Sequence, residues 1–282
     1  FKVRAVGRKN ISEWKQSHKQ AENLSLDLSF KENCDQVIQS IDEVYNLAAE
    51  VGGVNFIENH KAETMLSVLI NTHLLLAAKN AGVKRYFYSS SYAVAAAEVP
   101  QANESLTKVL GDGHIWEKLF SEKLCAYFRE DFGLETRVGR LQNIYGPFDA
   151  YDGGRERAPA ALCRKAAVAK ASGILDLEIW GDGSQVRNFL YVADAVQAIR
   201  DLTASDIVEP VRIGSSEAVT VNRLVDTIEN AAGIKFNRRY KLDAPSGTAR
   251  KFGLEPEAEK HFLWRAATSL ETGSKSLYDW IE

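Results

Sequence analysis

The sequence is informative first through what it lacks. No run of apolar residues approaches the roughly 20 that a helix needs to cross a bilayer, so no membrane span is expected. No signal-peptide pattern opens the chain. Residue 1 is Phe and already lies in a strand-like pattern, so we expect the natural polypeptide to begin further upstream.

Charge of one sign is not in excess either. The chain has 35 Lys and Arg residues against 38 Asp and Glu residues, for a formal net charge of −3. Such a balance creates no bulk field that would recruit nucleic acid or an anionic membrane surface. We therefore expect no nucleic-acid partner.

Cysteine is scarce. The three residues, Cys34, Cys125 and Cys163, are odd in number, widely spaced and set in apolar or helical contexts. This usage favours a reducing compartment, the cytoplasm or an organelle interior, over a disulfide framework. No metal site is expected.

What the chain does have is an alternation of strand and helix patterns. Its 282 residues are 45% hydrophobic, enough to bury a full core. Strands are predicted over 1–6, 24–28, 43–49, 83–89, 134–141 and 178–180, and helices over 32–41, 62–81, 114–132, 155–171, 193–204 and 221–232, with two more near 255–260 and 274–282. The spacing is that of βαβ units and predicts an α/β fold, a Rossmann-like doubly wound parallel sheet with a smaller C-terminal lobe. We divide the chain into a dinucleotide-binding region, 1–145, and an interleaved substrate-binding lobe, 146–282.

Three short stretches follow predicted strands, at the positions where doubly wound sheets bind ligands. They are Asn46–Ala49 (NLAA), Ser89–Ser91 (SSS) and Asn143–Pro147 (NIYGP). In this order and spacing they resemble the extended short-chain dehydrogenases/reductases that modify nucleotide sugars, from residue 3 to the C-terminus. Residues 131–147 and 153–166 (GGRERAPAALCRKA) are similar to the corresponding segments of GDP-mannose 3,5-epimerases.

The resemblance implies bound NAD or NADP, a GDP-mannose-like nucleotide sugar and a specific set of proton carriers. In the family the cofactor transiently oxidises the sugar, the carbon beside the new carbonyl is deprotonated and reprotonated, and the sugar is reduced again. A Tyr paired with a Lys four residues later, a Ser and a further acid/base pair handle the protons.

Most of those proton-handling positions are changed here. Lys118 and Ser91 match the family's Lys and Ser, but His114 replaces the Tyr, Ala93 replaces a Cys and Arg157 replaces a Lys. Imidazole can act as a base near neutral pH, but it lacks the phenolic oxygen, and Arg stays protonated. Each general acid or base contributes about 10²–10⁴-fold. We therefore expect weak or absent epimerase activity, which would make the protein a pseudoenzyme.

The cofactor side is incomplete in this sequence. The family's first strand and Gly-rich turn are expected upstream of residue 1. In the family the next strand ends in an acidic residue that contacts the adenosine ribose, and here that position is Gly7, followed by Arg8 and Lys9. The basic pair would suit the 2′-phosphate of NADP, so NAD and NADP both stay open. The resemblance assigns cofactor contacts to Asp27, Asn46, Ala48, Ala49, Ser89 and Lys118, with a plain loop cap as the alternative for Asp27.

Substrate positions are better preserved. The resemblance assigns nucleotide-sugar contacts to Asn143, Arg155, Arg157, Lys165, Gln185 and Arg187, with the WGDG stretch at 180–183 as a further family feature. Solvated surface charge is the alternative for each. A basic cluster, Arg238, Arg239, Arg250 and Lys251, is a looser candidate for a phosphate anchor.

Two functions remain open from the sequence. One is a nucleotide-sugar epimerase with altered specificity. The other is a catalytically inactive structural subunit of a larger complex, for example a mitochondrial one. Relatives pair through helices equivalent to 62–81 and 114–132, which implies a homodimer unless a larger assembly uses that surface.

Overall fold

The computed structural model describes residues 1–98, 112–243 and 256–282. They form two compact units. Unit 1 comprises Phe1–Val51, Ile57–Arg140 and Ile199–Val211, and unit 2 comprises Gly52–Phe56, Leu141–Ala198 and Arg212–Glu282. The chain thus passes between the units several times.

Strands and helices alternate through most of the described chain, so the predicted α/β class is confirmed. The strands are β1 Arg4–Gly7, β2 Glu22–Ser25, β3 Glu43–Asn46, β4 Arg85–Ser91, β5 Glu135–Leu141, β6 Asn143–Tyr145, β7 Asp176–Trp180, β8 Val186–Arg187, β9 Phe189–Tyr191, β10 Val211–Ile213, β11 Val219–Thr220 and β12 Asn237–Lys241. The helices are α1 Lys31–Val37, α2 Val54–Asn59, α3 Lys61–Met65, α4 Ser67–Ala81, α5 Tyr92–Glu98, α6 Gly113–Phe132, α7 Ala158–Ser172, α8 Val192–Ala204, α9 Val221–Ala232, α10 Ala258–His261 and α11 Leu270–Ile281. A 3₁₀ turn spans Ile11–Glu13.

Strands β1 to β5 and β10 form two sheets. β1 and β2 pair in parallel, and a separate four-stranded sheet has the order β10-β5-β4-β3, with β3 and β4 parallel. Among the described residues, β1 has no strand partner besides β2, and β3 none besides β4.

Each unit has its own apolar core. In unit 1 it is built by α1, α4, α6 and the strands beneath them, with Leu75, Tyr86 and Cys125 fully buried. In unit 2 it is built by α7, α9, α11 and β7, where Ala160 and Leu224 are fully buried. Shorter sheets complete unit 2: β6 with β9, β7 with β12 and β8 with β11.

Helix ends follow local signals closely. Asp112 caps α6 by accepting from the backbone N–H of His114, and Gly133, at φ 69°, ends the helix.

Two sequence predictions are wrong. The helix expected over 62–81 is divided at Leu66, whose ψ of −11° tightens the backbone into a turn. The stretch Asn143–Pro147, predicted to follow a strand as a loop, contains a further strand, β6, because its backbone pairs in parallel with β9.

No helix in the described ranges is both long and apolar enough to cross a bilayer.

Candidate functional site

The end of β3 carries a buried network of amide and phenol groups. Asn46 is 3% exposed, and its Nδ2 donates to Asn71 Oδ1 at 3.1 Å and to the hydroxyl of Tyr86 at 2.9 Å. Its Oδ1 accepts from the backbone N–H of Ala48 at 3.2 Å. Both amide protons of Asn46 are therefore used inside the protein. Its observed role is to hold the strand end and the half-buried residues Ala48 and Ala49 in place.

α6 turns Lys118 inward against β4. The Lys118 side chain is 5% exposed. Its Nζ donates to the carbonyl of Ser89 at 3.1 Å and to the hydroxyl of Tyr88 at 3.2 Å, and lies 3.3 Å from Glu117 Oε2. The structure thus brings Lys118 and Ser89, two predicted cofactor contacts, together. Two of the three ammonium protons are nevertheless committed to protein oxygens.

Tyr88 is the tyrosine beside Lys118, but it is enclosed. Its hydroxyl donates to Glu117 Oε1 at 2.7 Å, and the residue is 1% exposed. Burial raises the pKa of Tyr88 well above its ordinary value, and the charge of Glu117 raises it further. A base that takes a proton from a sugar hydroxyl needs access and a lowered pKa. Tyr88 has neither, so it does not replace the Tyr missing at position 114.

A second buried charge pair ties α6 to β5. Ser90 donates to Glu122 Oε1, and Arg140 contacts both oxygens of Glu122, the shorter contact being Nη2 to Oε2 at 2.7 Å. Side chains on one face of β4 therefore anchor the helices that cover it. This polar anchoring is the reason why the inner face of α6 carries charged residues in an otherwise apolar layer.

The remaining candidates for proton transfer make local contacts. Ser91, at the end of β4, accepts from the backbone N–H of Ala93 at 3.2 Å, so it acts as a cap. Ala93 is partly buried on α5 and carries no titratable group. His114 is half-buried at the second residue of α6.

Beyond the carboxyl ends of β1 and β3, the residues that follow the two strands meet in an ion pair. Arg8 Nη1 lies 2.8 Å from Glu50 Oε2, and Nη2 donates to Oε1 at 3.1 Å. The hydrogen bond and charge of Glu50 raise the pKa of Arg8. A basic pair at Arg8 and Lys9 was expected to suit a 2′-phosphate, but Arg8 already has an acidic partner.

Asp27 has the loop-cap role that stood as its alternative interpretation. Its Oδ1 accepts from the backbone N–H of Ser29 at 2.9 Å, and its carbonyl accepts from Asn33 Nδ2 at 2.7 Å. These bonds shape the turn into α1 and leave the carboxylate half-buried.

In unit 2, three substrate candidates support neighbouring backbone. Asn143 Nδ2 donates to the carbonyl of Asn188 at 3.0 Å, and Gln185 Nε2 donates to the carbonyl of Trp180 at 3.1 Å. Arg187 is partly buried and donates to the carbonyl of Val186 at 2.8 Å. Burial lowers the pKa of Arg187, yet a guanidinium remains protonated at working pH.

The candidates near α7 have different environments. The guanidinium of Arg155 lies 4.1 Å from the ring centre of Phe56, a cation–π contact, and the carbonyl of Arg155 accepts from Gly53 N at 3.1 Å. Arg157 is the N-cap residue of α7, and Lys165 is exposed on that helix.

The basic cluster is largely occupied. Arg238 Nη2 lies 2.8 Å from Glu229 Oε2, and Arg239 Nη2 lies 3.1 Å from Asp176 Oδ2. The other two members, Arg250 and Lys251, lie outside the described residues. The cluster therefore gains no support as a phosphate anchor from the part that is described.

Sequence reasoning missed Glu50, Tyr88 and Glu117. The only available signal for Glu117 was its position next to Lys118. Its side chain is 1% exposed, and a buried carboxylate requires partners. Glu50 gave no signal, because its partner lies 42 residues earlier in the chain.

Comparison with known proteins agrees with this architecture. The model of the NAD dependent epimerase/dehydratase family matches residues 1–213. The chain is 36% identical over 293 residues to GDP-mannose 3,5-epimerase 1 of Oryza sativa subsp. indica, covering 96% of this chain and 74% of that protein. It is 34% identical over 286 residues to GDP-mannose 3,5-epimerase of Arabidopsis thaliana, with the same coverage.

Solved structures show the same fold. A UDP-glucose 4-epimerase from Thermotoga maritima, solved with UDP-glucose, superposes with a TM-score of 0.85 at 22% identity, covering 99% of this chain and 90% of that one. A UDP-glucose 4-epimerase from Thermus thermophilus, in complex with NAD, gives a TM-score of 0.80 at 19% identity, with the same coverage. The predicted Rossmann-type architecture and the predicted family are both confirmed: this chain belongs to the NAD dependent epimerase/dehydratase family, the extended short-chain dehydrogenases/reductases.

Proposed function

We propose that this chain is a nucleotide-sugar epimerase-like protein, resembling GDP-mannose 3,5-epimerase, that binds its ligands but has weak or no epimerase activity. The observation that carries the proposal is the state of the proton carriers. Ala93 has no proton to transfer, the guanidinium of Arg157 stays protonated, and Lys118 is enclosed by Tyr88 and Glu117.

The loss of proton carriers affects the central step of an epimerisation, the proton transfer at a ring carbon. Deprotonation of a ring carbon needs a base on one face of the sugar and an acid on the other. An alanine methyl group at position 93 supplies neither. His114 can exchange a proton near neutral pH, but a single imidazole serves one face of the ring. We therefore expect the slow step to be proton transfer rather than ligand binding.

The described residues fit the adenosine part of a dinucleotide better than its nicotinamide part. Arg8, Asp27 and Glu50 follow the carboxyl ends of β1, β2 and β3, where such sheets bind nucleotides. Bound NAD would supply a hydride acceptor. At the other end Lys118 would have to give up one of its contacts to hold a ribose hydroxyl.

The substrate side carries the charge that a nucleotide diphosphate needs. Arg155, Arg187 and the exposed Lys165 are cationic, and Asn143 and Gln185 add hydrogen-bonding groups. Guanidinium groups suit phosphate oxygens because they donate in a fixed fork. GDP-mannose is the probe that the family relationship indicates.

The test restores the missing proton carriers. The variant Ala93→Cys/His114→Tyr/Arg157→Lys should raise turnover of GDP-mannose with NAD by at least about 10²-fold over the parent, the contribution of one general acid or base. Chromatographic separation of the epimers measures the rate. Lys170→Arg, a change at an exposed position of α7 that has no predicted contact with substrate, is a matched control that keeps the charge. Full activity of the parent protein would contradict the proposal.

A protein partner is supported by an apolar groove on unit 1. α3, α4 and α6 line a cavity of about 380 Å³, and Met65, Leu66, Trp116 and Phe120 on its walls are 42–57% exposed. Exposed apolar surface of this kind marks interaction sites. We propose a homodimer through these helices, and light scattering of the purified protein would measure its mass.

The second candidate, a structural subunit of a larger complex, draws on the same groove together with the lost proton carriers. Recovery of the native protein in fixed stoichiometry with other polypeptides, rather than as a dimer, would favour it. The three buried free thiols support a reducing compartment for either function.

A further inference from the structure

The dinucleotide site of this chain has lost the acidic residue that usually recognises the adenosine ribose. In doubly wound folds an Asp or Glu at the end of the second strand accepts from the 2′-hydroxyl of NAD, and an Arg nearby accommodates the 2′-phosphate of NADP. Here β1 ends at Gly7. A Cβ atom at this position would lie 3.0 Å from the Trp14 ring, which is held by its Nε1 donating to the carbonyl of Lys9 at 2.9 Å. The indole thus crowds any side chain placed at position 7.

A carboxylate reaches the same end of the sheet from a different strand. Glu50 follows β3, and its two oxygens meet the two terminal nitrogens of Arg8 at 2.8 and 3.1 Å. The backbone N–H of Glu50 donates to Ser67 Oγ at 2.8 Å, which fixes its position. The side chain of Glu50 is 15% exposed, whereas that of Arg8 is 57% exposed. Of the two side chains in the ion pair, that of Glu50 is therefore the more firmly held.

We propose that Glu50, through its fork with Arg8, makes this site select NAD over NADP. The inference rests on the proposed function, since it requires that a dinucleotide binds. A 2′-phosphate carries roughly −1.5 to −2 charges at pH 7. On approaching Arg8 it meets the carboxylate of Glu50 and a guanidinium whose terminal nitrogens are already engaged. A ribose hydroxyl is neutral and can donate to the carboxylate of Glu50, so it meets no such repulsion.

The experiment measures the dissociation constants of NAD and NADP by calorimetry on the full polypeptide and three variants. The parent should bind NAD more tightly. In Glu50→Gln the guanidinium of Arg8 is released, and NADP affinity should rise by about tenfold relative to NAD, the size of one charge-assisted hydrogen bond. Glu50→Gln/Arg8→Gln should lose that gain. Glu22→Gln, which removes the acidic partner of Arg4 in a comparable pair, should leave the ratio unchanged.

The outcomes distinguish the role of Glu50 in cofactor selection from the proposed function of the protein. Binding of both dinucleotides with a ratio that Glu50→Gln does not move would overturn the role of Glu50 and leave the proposed function standing. A parent that prefers NADP would do the same. Absence of binding to either dinucleotide would overturn both. If Glu50→Gln fails to fold, Glu50→Ala takes its place, with the same expected rise in relative NADP affinity and the same contradicting result.

Discussion

The buried pair of Glu117 and Lys118 should be among the most sensitive positions for stability in unit 1. Their side chains are 1% and 5% exposed, with Glu117 Oε2 3.3 Å from Lys118 Nζ. Removing one partner of a buried ion pair leaves the other charge uncompensated, at a cost of about 3–5 kcal/mol. Total unfolding free energies are typically about 5–15 kcal/mol, so removal of either side chain would cost a large part of the stability.

Three variants, Glu117→Leu, Lys118→Met and the double variant, measure this coupling. Each single variant should lower the unfolding free energy by about 3 kcal/mol or more in urea titrations followed by circular dichroism. The thermal midpoint should fall by roughly 6 °C or more, at about 2–4 °C per kcal/mol. The double variant should be less destabilised than the sum of the singles by at least about 1 kcal/mol, because no charge is left unpaired.

Asp42→Asn is the matched control, since it removes the acidic partner of Lys84 from an ion pair that is about three-quarters exposed. It should not change stability measurably. Additive losses within about 0.5 kcal/mol for Glu117→Leu and Lys118→Met would refute the reasoning, because independent sites add. They would mean that Lys118 does not depend on Glu117 in the folded protein.

Three further outcomes are expected. Gly273→Ala should destabilise unit 2, because its Cβ would lie 2.2 Å from the hydroxyl oxygen of Tyr145, and Tyr145→Phe should recover part of the loss in thermal melts. Burial raises the pKa of Glu229, but the hydrogen bonds from Arg238, Lys235 and the backbone N–H of Phe236, with the charge of Arg238, together outweigh burial and lower the net pKa. Stability should therefore fall as pH drops below about 4.5, and Glu229→Gln should flatten that dependence in urea titrations from pH 7 to 3.5. Burial raises the thiol pKa values to about 12, so a disulfide exchange reagent should label no thiol quickly in the native protein and all three after unfolding: Cys34, Cys125 and Cys163.

The sequence was a good guide where structure is decided locally. The helix predicted over 114–132 is found as Gly113–Phe132, because Asp112 caps its start and Gly133 adopts the left-handed conformation at its end. The helix predicted over 221–232 is found with those limits, between Thr220 and Gly233. Caps act within a few residues, so they are readable from sequence alone.

Features set by distant partners could not be read in this way. The strands β8, β9 and β11 are two or three residues long, too short for a periodic pattern, and exist because they pair with segments far along the chain. The split at Leu66 interrupts an apolar pattern that continues across it. Tertiary pairing, not local preference, decided these elements.

In the candidate site, too, local sequence signals could be read, whereas contacts with distant residues could not. Motif positions identified the family and singled out Lys118 and Ser89 as predicted cofactor contacts. They did not show that Lys118 points toward Tyr88 and Glu117, because side-chain direction depends on partners from another strand. Nor did they show that Glu50 occupies the guanidinium of Arg8. Residue type at a motif position indicates ancestry, while the contacts around it decide what it can do.

Solvent deuterium exchange into GDP-mannose tests the loss of proton transfer most directly. The purified polypeptide would be incubated with NAD and GDP-mannose in D₂O, and mass spectrometry would count deuterium on the sugar ring. We expect ligand binding by calorimetry with little or no incorporation, and incorporation that appears in the Ala93→Cys/His114→Tyr/Arg157→Lys variant. Rapid incorporation by the unaltered protein would show that other residues carry the protons and would contradict the account.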